Sequence, residues 1–308
     1  MQTFKRYITE KRNLINLIEK QIIIGKGKRY GQVVFMAGGA GSGKGFAIKN
    51  FMEGEKFKVR DPDEYKKAFL RLAQLKKKYK EIRGLDLRNP KDAFKLHKWI
   101  ENKRIKQRTL TLLLQDAKRG ILPNILIDTT MQSKSKIKEA LPALLEAGYD
   151  PKNIHIIWVL TDYAIAIKQN RERERIVPDD IMLKTHEVAA TTMYNFIKHG
   201  TPRTINGGVY IVLGGRKNTV LYTDSNGKPI KTGKNKDTVV VKDFSYLTMK
   251  VPGSRMTKNS DLKKQAYKWI MDKAPKTLTN KLFDKEQETS WNPNLIWYNK
   301  RNGKQNNK

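Results

Sequence analysis

Apolar positions along the chain follow two rhythms. Between residues 30 and 213, short apolar runs alternate with longer stretches whose apolar residues recur three or four apart. The runs at 33–37, 57–59, 123–128, 154–160 and 209–213 read as strands, and the stretches 66–83, 89–119, 134–147, 163–175 and 179–199 read as helices. Asn89-Pro90 supplies a cap and a proline at the first helical position, and Gly120, Gly148 and Gly200 mark helix stops. Residues 3–24 carry an amphipathic pattern that predicts a helix packed on the core. Strand–helix alternation of this kind predicts a parallel sheet covered by helices.

From Gly207 the rhythm becomes two. Residues 219–223 and 238–250 read as further strands, with a hairpin turn at Asp224-Ser225-Asn226-Gly227 and one more helix near 262–273. The expected fold class is therefore α/β, a three-layer arrangement with a mostly parallel sheet and a β-rich C-terminal extension. The expected organisation is an α/β domain with its N-terminal helix over 1–205, a β-rich extension of the core over 206–260, and a basic tail over 261–308.

The first strand runs straight into Gly38-Gly39-Ala40-Gly41-Ser42-Gly43-Lys44, followed by Gly45 and a helical stretch. Gly38, four residues, Gly43 and Lys44 fit the phosphate-binding loop. Such a loop curls so that several backbone N–H groups meet one anion, and the following helix adds the positive end of its dipole. Lys44 is expected to reach the β- and γ-phosphates of ATP. The residue after the lysine in the pattern is Ser or Thr, a magnesium ligand, and here it is Gly45.

Two carboxylates, Asp61 and Asp63, follow the second strand. Ligands in open α/β sheets sit beyond the carboxyl ends of strands, so one of this pair can accept the proton of an attacking hydroxyl while the other caps the next helix. Asp128 ends the third strand and is expected to orient the Mg²⁺ shell through water, with Thr130 close by. Arg171 and Arg175 lie four apart on one helical face, a spacing that can clamp phosphoryl oxygens.

Charge and composition narrow the field. Lys and Arg number 63 against 30 acids, a net charge of +33, which predicts affinity for polyanions such as nucleic acid. Residues 66–83 contain eight Lys or Arg and one acid, and Trp291, Trp297 and Tyr298 stand among basic residues near the end. There is no cysteine, which rules out disulfides and thiolate chemistry and fits a reducing cytoplasm. No apolar run approaches a membrane span, and the N-terminal apolar residues are broken by charges. The four histidines have no metal-ligand spacing.

Several of these residues together resemble the zeta-toxin kinases. The resemblance covers roughly residues 30–200: a Gly-Lys loop, Asp61-x-Asp63-x-Tyr65, a third strand ending in Asp128 with Thr130, and paired arginines before Val177-Pro178-Asp179-Asp180. It implies a P-loop kinase that uses ATP and Mg²⁺ to phosphorylate a hydroxyl of a nucleotide sugar, UDP-N-acetylglucosamine. It places the base on Asp63, the loop lysine on Lys44, the magnesium-region acid on Asp128, and the two arginines on Arg175 and on Arg171 or Arg173. The chain departs from that pattern at Gly45, at Gln132, where an arginine is usual, and at Thr109-Leu110-Thr111-Leu112, where a glutamate is usual. The same segments are similar to polynucleotide 5′-kinases through Arg60-Asp61 to Tyr65, which would make Asp61 the base and a nucleic-acid 5′ end the acceptor. A basic nucleic-acid-binding protein on the same fold is the reading without catalysis. An antitoxin partner is not specified by any motif.

Overall fold

The structure is a computed structural model that describes residues 31–52, 57–75, 79–115, 117–131, 134–173, 176–231 and 239–284. The amphipathic stretch 3–24 and the aromatic basic tail lie outside the described residues. Among the described residues the main sheet has six strands: β1 (Val33–Ala37), β2 (Lys58–Arg60), β3 (Ile125–Thr129), β4 (Ile154–Leu160), β5 (Val209–Leu213) and β8 (Tyr246–Lys250), in the order β2-β3-β1-β4-β5-β8. The first five run parallel, and β8 pairs antiparallel with β5. The β-rich extension expected after residue 205 is thus continuous with the sheet. A separate ribbon pairs β6 (Thr219–Leu221) with β7 (Val241–Phe244), joined through the turn at Gly227 in which Asp224 Oδ1 accepts from Asn226 N and Lys228 N.

Every residue of β1, β4 and β5 is buried, as expected of strands covered on both faces. Helix α1 (Lys44–Phe51) covers one face, where Ala47 and Phe51 pack on Val34, Met36 and Val159. The other face is covered by α4 (Ile105–Leu114), α5 (Lys134–Glu146), α7 (Asp179–His199) and α8 (Ser260–Lys273), packed on Val33, Phe35, Ile127, Ile156 and Trp158. The final helix, α9 (Lys276–Asp284), adds Leu278 to the same core. Three layers result, as expected.

Two helical stretches are divided where one helix was expected. The 89–119 stretch forms α3 (Pro90–Asn102) and α4, separated at Arg104, whose φ is 50°. The reason is packing: Leu96, Trp99 and Ile100 serve a satellite cluster with Ala73 and Ile82, whereas Leu110 and Leu114 serve the main core, and one straight helix cannot face both. The 66–83 stretch is α2 (Pro62–Leu75) followed by a short turn that begins at Tyr79, φ 62°. Helix α6 (Tyr163–Arg171) ends four residues before the expected 175.

A candidate phosphoryl-transfer site

The loop from Gly38 to Lys44 connects β1 to α1 at the carboxyl end of the sheet. Gly43 caps α1 at φ 85°, a left-handed conformation that side-chain-bearing residues rarely adopt. Gly39 is set by contact: a Cβ there would collide with the His186 ring. That ring comes from α7, and its Nε2 donates to Ala40 O (2.7 Å), while Ala40 N donates to Thr185 Oγ1 (3.4 Å). Burial holds His186 below its ordinary value, helped by the Lys44 charge and opposed by the bond to Ala40, so the imidazole is kept neutral. Immediately after β4, Thr161 Oγ1 donates to Ser42 O (2.6 Å). The loop is therefore braced on two sides. Neither brace was apparent in the sequence, because His186 lies 146 residues from its partner.

Lys44 Nζ donates to Gly38 O (2.9 Å) and Gly39 O (3.1 Å) and stands 3.7 Å from Asp128 Oδ1. Asp128 sits one residue from the end of β3. Burial pushes its carboxyl up to about 6; the charges of Lys44 and Arg173 oppose the shift, and Asp61 and Asp63 add to it. Thr129 Oγ1 accepts from Met131 N (3.0 Å), and Thr130 lines the same cleft.

At the end of β2 the two acids divide their tasks. Asp61 Oδ1 accepts from Asp63 N (2.7 Å) and Asp61 O from Tyr65 N (3.4 Å), so Asp61 caps α2. Burial raises the Asp61 carboxyl, the Asp63 N–H opposes this, and the neighbouring acids Asp63 and Glu64 add to it. Asp63, in the first turn of α2, pairs with the buried Lys66 (3.3 Å).

The cleft has a volume of roughly 700 Å³ and brings together the loop residues 40–45, Asp61, Asp63, Asp128, Thr130 and Arg173. Arg171 is not among the residues lining it: its Nη2 pairs with Asp179 (3.5 Å) and both side chains are exposed. Arg175 lies outside the described residues. Arg173, which the family resemblance gave only as an option, lines the cleft wall, as does Arg60. A clamp missed in the sequence lies near Arg173 in the chain: Asn170, fully buried, donates from Nδ2 to Val177 O (2.7 Å) and accepts from Val177 N (3.0 Å).

The donor set can be tested against a hydrated Mg²⁺. Among the described residues no cluster of three His, Cys, Asp or Glu could hold a metal alone, and Gly45 supplies no hydroxyl. One carboxylate, Asp128, beside a phosphate loop fits a magnesium ion held by nucleotide phosphates and water. No helix among the described residues is long and apolar enough to cross a membrane.

A parallel sheet flanked by helices, with a Gly-Lys loop at its carboxyl end, defines a P-loop kinase-like protein. The model of the zeta toxin family matches residues 19–226, and the chain belongs to that family. Comparison with curated proteins finds no match. Among solved structures, the AvrRxo1-ORF1:AvrRxo1-ORF2 complex with ATP is similar at 12% identity and TM-score 0.47, covering 85% of this chain and 72% of that one. The native complex of the same pair aligns at 13% identity and TM-score 0.46, covering 86% and 71%. A structure from the PezAT chromosomal toxin–antitoxin system of Streptococcus pneumoniae aligns at 15% identity and TM-score 0.40, covering 66% and 75%.

Proposed function

We propose that the protein is a kinase that transfers the γ-phosphoryl group of ATP to an alcohol hydroxyl. The observation that supports it best is the convergence of Lys44, Asp63 and Asp128, from three different strand ends, on one cleft. Lys44 leaves the Gly38 and Gly39 carbonyls and meets the β- and γ-phosphates, while loop N–H groups hold the remaining oxygens. The acceptor hydroxyl attacks the γ-phosphorus, the bond to the bridging oxygen breaks, and ADP departs. Asp63 takes the hydroxyl proton. Asp63 is the base that the family resemblance gives; Asp61, whose Oδ1 caps α2, is the alternative. Arg173 neutralises the transferring group. Asp128, acting through water, and Thr130 beside it would hold Mg²⁺, which would neutralise charge on the phosphates.

The acceptor is left open between a nucleotide sugar, which the family suggests, and a nucleic-acid 5′ end, which the net charge of +33 favours. The test is transfer of label from γ-labelled ATP with Mg²⁺ to UDP-sugars, nucleosides and 5′-hydroxyl oligonucleotides offered in parallel. Asp63→Asn should lower transfer by about a thousandfold with ATP still bound, and Asp61→Asn should act mainly on stability. Full transfer by Asp63→Asn would remove Asp63 as the base. Absence of ATP binding by the wild-type protein would end the kinase reading in favour of a nucleic-acid-binding protein.

A further inference from the structure

Arg60 is the last residue of β2, adjacent to Asp61, and forms part of the cleft wall. Its guanidinium carries five N–H donors and makes one hydrogen bond, from Nη2 to Lys106 O (2.6 Å). Its Nε is sealed from solvent and meets no acceptor. Among the described residues no carboxylate pairs with it. Glu139, from α5, lines the same cleft and attracts Arg60 electrostatically, yet the two form no ion pair. Lys66 on the same wall is different, because it already pairs with Asp63. Burial also works against the Arg60 charge. A half-buried guanidinium, tethered at one end and without a counter-ion, is a poor structural device and a good anion receptor.

Location says whose anion it is. β2 lies at the sheet edge, two strands from β1 and its phosphate loop, with β3 between them. Two strand spacings are roughly 10 Å, so Arg60 stands on the acceptor side of Asp128. It is next to the capping Asp61 and three residues from Asp63.

We propose that Arg60 is the residue that anchors a phosphate group borne by the acceptor, holding it close to the hydroxyl that receives the γ-phosphoryl group. The inference rests on the kinase reading for the transfer step, but the binding it predicts can be measured without turnover. Arg60 is then a specificity residue, discriminating acceptors by charge before chemistry begins.

The experiment uses the full chain and acceptors that differ only in phosphate: a nucleoside 3′-monophosphate against the nucleoside, and N-acetylglucosamine 1-phosphate against N-acetylglucosamine. Binding is read by calorimetry with a non-hydrolysable ATP analogue at saturation, and transfer by label from γ-labelled ATP. The wild type should bind a phosphate-bearing member at least about tenfold more tightly than its partner, and Arg60→Gln should remove most of that difference. ATP-analogue affinity and the melting temperature should stay unchanged. Arg60→Lys, which keeps the charge and loses the fork, should fall between the two. The pair that responds identifies the source of the phosphate. If the wild type binds none of the phosphate-bearing compounds, or if Arg60→Gln binds them as the wild type does, the proposal is overturned. If binding depends on Arg60 but no label moves, the anion site stands and the kinase reading fails for these acceptors.

Discussion

The two ends of the parallel sheet bury polar groups to a similar depth and treat them differently. At the amino end, His155 is fully buried, with Nε2 donating to Gln32 Oε1 (2.7 Å) and Nδ1 accepting from Gly208 N (2.8 Å). Gln32 N donates to Asn124 Oδ1 (3.0 Å). Lys250, also buried, donates to Ile205 O (3.0 Å) and Asn206 Oδ1 (3.0 Å), with Thr201 Oγ1 at 3.5 Å. At the carboxyl end, Ser42 Oγ and Arg60 Nε are buried without partners, and the Asp128 carboxyl is held near 6. Satisfied polar groups lock a fold together, and unsatisfied ones await something else. Both rims are hydrogen-bonded, but of the two only the carboxyl one leaves buried side-chain atoms, Ser42 Oγ and Arg60 Nε, without a partner among the described residues.

That contrast can be broken in four ways. The largest effect is expected for Lys44→Ala at the carboxyl end: a loss of about a thousandfold in kcat/KM with ATP, at an unchanged melting temperature. A fall in stability of similar size would place Lys44 with the structural cations instead. Lys250→Met at the amino end should do the reverse, costing about 2–3 kcal/mol of unfolding free energy by stranding its acceptors, with kcat and KM untouched. Denaturant titration beside steady-state kinetics separates the two.

The third test uses pH. Burial, reinforced by the Lys250 charge, lowers His155 to about 3. The unfolded chain therefore binds a proton at this position that the native state refuses. Stability should rise with pH between about 3 and the ordinary imidazole value near 6.5, then level off for this group. His155→Gln should reduce the slope in that window by one proton, about 1.4 kcal/mol per pH unit; an unchanged slope would mean that His155 titrates normally. The smallest effect is expected for Arg60→Met, which should change unfolding free energy by less than about 1 kcal/mol. A loss comparable to that of Lys250→Met would make Arg60 a structural residue and erase the difference between the two rims.

Much of the architecture was legible because local signals agreed. The apolar runs 154–160 and 209–213 match β4 and β5, and the cap at Asn89 accepts from Lys91 N (3.0 Å) as its sequence predicts. The phosphate loop was legible because its glycines and lysine are contiguous. What the sequence concealed depends on distant partners. The break at Arg104 follows from which cluster each half of the stretch must reach. Arg60 reads as one more basic residue, and only a carbonyl 46 residues away and a shortage of counter-ions distinguish it. Asn170 reads as a polar residue within a helical stretch; its clamp on Val177 exists only once the chain has turned back. The ambiguity between Asp61 and Asp63 was real in the sequence, since either can cap a helix; in the structure Asp61 holds the Asp63 N–H and Asp63 holds the Lys66 ammonium.

Gly45 carries a consequence for how this loop can change over time. It is exposed in the first turn of α1, its backbone is not in the left-handed region, and a Cβ there would meet nothing within 4 Å. A single substitution would therefore convert the loop to the Ser- or Thr-bearing form, and the fold raises no obstacle to it. Gly39, one face of a contact with His186, has no such freedom. A serine or threonine at position 45 would therefore change how the loop handles its ligand and leave the architecture as it is.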